Sequence, residues 1–528
     1  GLPIIPLKDF EIEEEVIKLI SYQLCLKYNI VPVDNFGNSV TIATNDPQNF
    51  EMLEAVKFAT GFETEVVLAK STEIAEVLVR IEKDSDEDNK MSDIMDGLDD
   101  TIVEVVDTEE DELNEFELLQ ASDDKPIVKL VNSIISNAVT RRASDIHIES
   151  YDEDYIRIRY RIDGVLYEAM KRLPAKIRNS VVTRIKILAK LDITDRKRPQ
   201  DGRFRMSLKG RSIDFRLSTL PTIYGERIMI RILDKKHQVF QLDKLGLDEE
   251  QVRRLRTVIN MPWGMVIIAG PSGCGKTTTL YTALMDIYAD DTNIMTAENP
   301  VEFDFPGVNQ VNTNDAVNLT FASALRSFLR QDPDIIMVGE VRDQETGEIA
   351  IKAALTGHLV LTSLHTNDAP SVVSRLTNMG VEPFMIAAAL IGAVSQRLIR
   401  QICPKCKEPT EVTPEDFLQL GLNPDKYSDV TIYKGKGCPY CADTGYYKRT
   451  AIYEVMPISK KLQTMIIDHV ITTELMTQAR LEGMSTLREA VVEKWLTGVT
   501  TLEEIYRQTV ADPPETNPHP EDLEDTIV

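Results

Sequence analysis

Hydrophobic residues change their period several times along this chain, and each period predicts a different element. Ile127, Leu130, Val131, Ile134, Ile135 and Ala138 recur at i, i+3, i+4 and i+7, the spacing of a helix with one buried stripe. The run Ile156-Arg-Ile-Arg-Tyr-Arg-Ile162 alternates instead, which predicts a half-buried strand, and Asp163-Gly164 supplies a turn into a second strand, Val165–Ala169. Asp145–Glu149 fits another strand with His147 on its surface, Ile177–Leu191 a helix, and alternation returns from Arg198-Pro-Gln-Asp-Gly-Arg203 through Ile232. Residues 123–234 thus form an α+β domain. Before them, residues 1–82 alternate a helix (Glu13–Leu26), a strand (Ser39–Thr44), a helix (Asn49–Ala59) and a strand (Glu65–Leu68), a small α/β domain without a titratable cluster. Beyond a connector at 235–247 the runs become continuously apolar: Met265–Ala269, Ile335–Val338 and Leu359–Leu364 read as buried strands in an alternating α/β pattern. From Tyr453 to about Val510 the chain reads as helical.

The segment after the first apolar run carries the chemistry. Gly270-Pro271-Ser272-Gly273-Cys274-Gly275-Lys276-Thr277 spells G-x-x-x-x-G-K-[ST], with a strand before it and the helical stretch Thr278–Met285 after it. Glycines let backbone N–H groups turn inward around phosphate oxygens, Lys276 reaches the terminal phosphates of ATP, and the Thr277 hydroxyl can ligate Mg²⁺.

Three further constellations lie beyond the loop. Glu298 and Glu302 flank a proline turn in Thr296-Ala-Glu-Asn-Pro-Val-Glu302, where carboxylates can orient water or hold Mg²⁺. Asp334-Ile-Ile-Met-Val-Gly-Glu340 delivers an acid at the end of a buried strand, the task of a Walker B element, with Gly339 where an Asp is usual and Glu340 next. His358 and His365 bracket the strand after it, and either could sense or bond the terminal phosphate. Which of Glu298, Glu302 and Glu340 takes the proton from water stays open.

Cysteine usage and charge add a module and two tethers. Two CxxC pairs, Cys403/Cys406 and Cys438/Cys441, supply the four thiolates of a closed tetrahedral Zn²⁺ site; a redox pair would need only one CxxC in a thioredoxin-like context. Formal charge is −26, but 82–117 carries seventeen acidic residues against two lysines, and 512–528 six against no Lys or Arg. These stretches, which hold −21 of the total, read as a mobile acidic linker and a disordered tail. By contrast, 125–236 holds twenty-six basic and thirteen acidic residues, either a solvated sheet face or arginines aimed at a nucleotide; few aromatics accompany them, so nucleic acid is not the expected partner. No secretory signal opens the chain and no apolar run is long enough to span a membrane, so a soluble cytoplasmic protein is expected. The first residue is Gly1 rather than Met, which leaves room for upstream sequence.

Nearly the whole chain resembles the secretion-ATPase superfamily, specifically the assembly ATPases of type IV pili (PilB-like) and the related type II secretion ATPases (GspE-like). The carriers are the phosphate loop, Thr296–Glu302, Ile335–Glu340, Thr356–His365 and the cysteine pairs, with Ala143–Glu149 and Gln200–Arg203 matching the preceding domain. The resemblance implies a RecA-like motor domain (248–402), a zinc-binding module (403–455), a helical end of the motor (456–510) and a tail (511–528). These come after a small N-terminal domain (1–82), a linker (83–122) and a PAS-like domain (123–234). It further implies a hexamer beneath the inner membrane that hydrolyses ATP and passes motion to a membrane platform protein, with Arg203 and Arg216 completing the ATP site and Arg211 and Arg227 near it. Tyr453-Glu-Val-Met-Pro-Ile-Ser459 is closer to the pilus branch than to the secretion branch. A nucleic-acid translocase or a non-catalytic nucleotide-binding scaffold are the readings of another class; the scaffold would have lost Lys276 or Glu340. Departures are Asn299 where an Asp is usual, Cys274 in place of a small Ser or Ala, which places an oxidisable thiol beside ATP, and no Arg-Leu-Gly repeat of the kind that binds cyclic di-GMP.

Overall fold

Alternating and continuous hydrophobic runs fold into different sheets. A computed structural model describes residues 5, 7, 12, 16, 19–20, 22–36, 39–75, 77–78, 125–208, 210–234, 240–427 and 429–511. It divides into two units, 1–160 with 168–233, and 161–167 with 234–528. The acidic linker, the tail from 512 and most of the anticipated helix Glu13–Leu26 lie outside the described residues; the part described is helical over Tyr22–Tyr28.

The first unit opens with a three-stranded sheet, β1 (Ile30–Phe36), β2 (Ser39–Thr44) and β3 (Glu63–Leu68), in that order, antiparallel then parallel. The crossover helix Phe50–Thr60 is closed at both ends: Asn49 accepts from Met52 N–H, and Gly61, at φ 74°, caps the last turn. β1 was not anticipated, because Pro32 interrupts its pattern. Pro32 is tolerated there since β1 is an edge strand with a register shift between Pro32 and Asp34.

A second sheet holds β4 (Asp145–Glu149), β5 (Tyr155–Ile162), β6 (Val165–Glu168), β7 (Leu173–Pro174), β8 (Gln200–Leu208), β9 (Arg211–Thr222) and β10 (Gly225–Leu233). Its order is β6-β5-β4-β10-β9-β8, with β7 on β5. Ile156, Ile158 and Tyr160 are buried and the arginines between them are not, as alternation requires. The helix Lys125–Thr140 contributes Val131, Ile134 and Ile135 to the core, and Tyr160 donates to the Ile134 carbonyl at 2.7 Å. His147 is a correction: β4 is central in the sheet, so His147 is buried, with Nδ1 3.2 Å from the Arg227 guanidinium.

The second unit is built on β11 (Gly264–Ala269), β12 (Ile294–Glu298), β13 (Asn309–Asn312), β14 (Ile335–Val338), β15 (Leu359–Leu364), β16 (Leu390–Ile402) and β19 (Tyr446–Pro457). They run in the order β13-β12-β14-β15-β11-β16-β19, all parallel except β19. β11, β14 and β15 are buried at every position, the reason their sequences do not alternate. Asp248 opens the unit's first helix, Glu249–Ile259, with a capping box to Gln251. Residues from Tyr453 are not helical at once: β19 continues to Pro457 against β16, and helices begin at Lys460. A small ladder, β17 (Lys407–Pro409) with β18 (Tyr433–Gly435), lies between β16 and β19 in the chain. Among the described residues no helix is long and apolar enough to cross a membrane.

Candidate functional site

The phosphate loop leaves the carboxyl end of β11 and turns into the helix Lys276–Asp286. Gly270, Gly273 and Gly275 take φ values of 146°, 74° and 94°, and a Cβ on Gly270 would lie 2.6 Å from Cys274 Sγ and 2.7 Å from the Gln396 carbonyl. Only glycine meets both demands there. Pro271, Ser272, Gly273 and Thr277 are exposed, Gly275, Lys276 and Thr278 half-buried. Lys276 Nζ donates to the Gly270 and Pro271 carbonyls at 2.9 and 3.0 Å. Burial lowers its pKa against the pull of Cys274 and Glu340. Cys274 corrects an expectation: it is 4 % exposed, and burial pushes its thiol up, so it is shielded from oxidation rather than presented to it.

Glu340 comes after Gly339 at the end of β14. One carboxylate oxygen accepts from Arg342 at 2.5 Å and the other lies 3.5 Å from His365 Nε2. Burial raises its pKa, but the Arg342 bond and charge, aided by His365, outweigh burial and hold it below the usual range, so the acid is ionised. Glu298 ends the neighbouring β12 and is 3 % exposed. It accepts from Thr296 at 2.6 Å, Gln310 at 3.1 Å and the Tyr281 hydroxyl. That same hydroxyl receives the Glu302 N–H at 3.3 Å, so one side chain of the phosphate-loop helix fixes both ends of the proline turn.

His365 therefore stands with Glu340, but His358 does not. β15 runs parallel to β11 with Gly264 opposite Leu359 and Ala269 opposite Leu364, which puts His358 at the far end, roughly a strand length of 17 Å from the loop. There Nδ1 lies 2.9 Å from the Ala353 carbonyl and 3.3 Å from Thr356 Oγ1, closing the end of the helix Gln344–Leu355. In the first unit Arg203 and Arg216 are direct cross-strand partners on β8 and β9, and Arg216 also faces Arg231 on β10. They lie on the more open face, opposite the buried Phe204, Met206, Phe215 and Leu217. Arg211 is exposed at the start of β9, while Arg227 is bound to Glu149 at 2.9 Å.

Sequence reasoning missed Arg342, Tyr281, Gln396 and Arg397. Arg342 had a local signal, being two residues beyond Glu340; Gln396 had none, since its donated bond to the Cys274 carbonyl at 2.7 Å spans 122 residues.

All four cysteines of the CxxC pairs converge. Pairing of β17 with β18 draws the ends of the long insertion together, and the four sulfurs lie within 4.8 Å of one another. Cys403–Cys438, Cys406–Cys441 and Cys438–Cys441 separations are 3.9, 3.8 and 3.6 Å. A tetrahedral metal with thiolate bonds of about 2.3 Å sets its sulfurs roughly 3.8 Å apart. Those thiols fit a metal centre, and all four are free.

The family described as type II/IV secretion system protein matches residues 120–507, and the MshEN domain matches residues 1–88. The type IV pilus assembly ATPase PilB of Myxococcus xanthus is 48% identical over 97% of this chain and 90% of its own length. The type II secretion system protein E of Pectobacterium carotovorum is 43% identical over 82% of this chain and 85% of its length. Among solved structures, the ATPase DotB of Yersinia pseudotuberculosis aligns over 77% of this chain and 97% of its own at 18% identity and a TM-score of 0.53, a likeness of fold alone. With a complete phosphate loop, an ionised acid at the end of β14, one strand removed from β11, and a family match over most of its length, this chain belongs to the type II/IV secretion system proteins and is an ATPase.

Proposed function

We propose that this ATPase is a hexameric motor at the cytoplasmic face of the inner membrane, where it drives assembly of a type IV pilus through a membrane platform protein. The observation that carries the pilus branch is the similarity to a pilus assembly ATPase across almost the full length of both chains. In this reading the loop N–H groups and Lys276 bind the phosphates, and Thr277 with Glu340 hold Mg²⁺. Glu298 and Glu302 order the water side of the site. His365 steadies Glu340, and Arg203 and Arg216 neutralise charge as the terminal phosphate leaves. Phosphoryl transfer requires mainly such positioning and charge neutralisation. Cys403, Cys406, Cys438 and Cys441 hold one structural Zn²⁺ that clips the insertion 407–437 to the motor. Four thiolates leave no open position for catalysis there. Elemental analysis finding no zinc, with all four thiols titratable, overturns that assignment.

ATP turnover of the purified protein, measured with and without the cytoplasmic loop of a pilus platform protein, tests the whole reading. Stimulation by that loop, and none by its type II secretion counterpart, is the expected result. Stimulation by DNA or RNA instead would place the chain among translocases.

A further inference from the structure

β16 lies beside β11 on the side away from β15, with Val394 opposite Ile268 and Ser395 opposite Ala269. The next two residues, Gln396 and Arg397, therefore stand against the first turn of the phosphate loop. Gln396 fixes the loop by its bond to the Cys274 carbonyl at 2.7 Å. Arg397 reaches the other way: Nη1 donates to the Gln396 carbonyl at 3.1 Å, and Nη2 donates to the carbonyl and Oδ1 of Asn367 at 3.0 and 3.2 Å. A Cβ on Gly270 would lie 3.5 Å from Nη1, so the guanidinium touches the start of the loop itself. Asn367 is two residues beyond His365, on the segment that leaves β15.

All three of these bonds end on neutral oxygens, and among the described residues no carboxylate forms an ion pair with Arg397. Burial lowers its pKa, and the attraction of Cys274, Glu454 and Asp368 does not offset this. A half-buried cation that no carboxylate pairs directly is costly, and the partner that cost anticipates is an anion. Beside a G-x-x-x-x-G-K-T loop that anion is a phosphate, and the planar fork of arginine suits phosphate oxygens better than a point charge does.

We propose that Arg397 is a second cationic contact for the phosphates of the bound nucleotide, besides Lys276, and that through Asn367 it ties their presence to the segment carrying His365. The inference rests on residues 270–277 being the phosphate site, and the test separates the two. Binding of ADP and of a non-hydrolysable ATP analogue is measured by calorimetry on the full chain, at low and high salt, for the native protein and for Lys276→Ala, Arg397→Ala and Arg397→Lys. A charge-assisted contact predicts that Arg397→Ala weakens both nucleotides by about 10- to 100-fold. The loss should shrink at high salt, and the lysine variant should recover part of it. Native binding by Arg397→Ala while Lys276→Ala loses it overturns the role of Arg397. Equal loss in both arginine variants with a lowered midpoint makes the residue a strut and also overturns it. Native binding by Lys276→Ala overturns the phosphate-loop reading, and this inference with it.

Discussion

Two sheets of seven strands stand among the described residues, and they offer their chemistry in different places. In the sheet of β4–β10 the sequence alternates, with apolar side chains on one face and charged ones on the other: Arg203 opposite Arg216, Arg205 bound to Asp214, Arg231 bound to Asp145. In the sheet of β11–β16 both faces of the central strands are buried, so no charge can stand along them. The candidate residues Gly270, Glu298, Glu340 and His365 each succeed or finish a strand at the same edge, and Gln396 and Arg397 join them where β16 runs on past the end of β11. Functional residues of a parallel sheet are thus close-spaced and local, whereas those of an alternating sheet are diluted among ordinary surface charges.

The sharpest way to break this contrast is at a strand end. Glu340→Gln keeps the size of the side chain but removes the charge proposed to serve Mg²⁺ or water. Turnover should fall by roughly 10³-fold or more while nucleotide affinity stays near native, since the lost interaction forms mainly in the transition state. Single-turnover kinetics and equilibrium binding check this, and undiminished hydrolysis removes Glu340 from the site.

A face residue is the next largest case. Arg203→Ala and Arg216→Ala should each bind nucleotide and keep the oligomer, yet lose turnover by roughly 10²- to 10³-fold if they act on the transferring phosphate, below the upper range seen for arginine fingers. Sedimentation and steady-state rates decide. If both variants turn over normally, the open face of the second sheet is a solvated surface and all the chemistry belongs to strand ends.

The same contrast explains what the sequence made legible. The phosphate loop, Glu298 and Glu340 were readable because a buried strand and its terminal acid are adjacent in the chain. β16 was not, because the helix Pro383–Ala389 passes into it without an intervening loop, so Ala387 to Val394 is one apolar stretch with no punctuation. β19 was hidden for a related reason: its partner β16 precedes it across the whole cysteine insertion, and only their pairing shows it to be a strand. β1 was hidden by Pro32, which reads as a breaker and is in fact an edge residue. Arg397 could not be found at all, since its value depends on a loop more than a hundred residues earlier and on Asn367, thirty residues away.

The smallest expected effect, and the finest test, lies within one strand. His358 and His365 bracket β15 and look equivalent in sequence, but only His365 reaches an acid, at 3.5 Å from Glu340, while His358 bonds the Ala353 carbonyl at 2.9 Å. If the strand end decides function, His365→Ala should slow turnover with little effect on stability, because its partner is a half-exposed carboxylate already held by Arg342. His358→Ala should do the reverse. It removes one hydrogen bond that closes a helix, worth about 1 kcal/mol, and should lower the thermal midpoint by roughly 2–4 °C with turnover near native at 25 °C. Scanning calorimetry and steady-state assays on the two variants give four numbers. A large loss of turnover in His358→Ala with an unchanged midpoint would mean that the far end of β15 serves catalysis too, and the rule that one edge of the sheet holds the chemistry would fail.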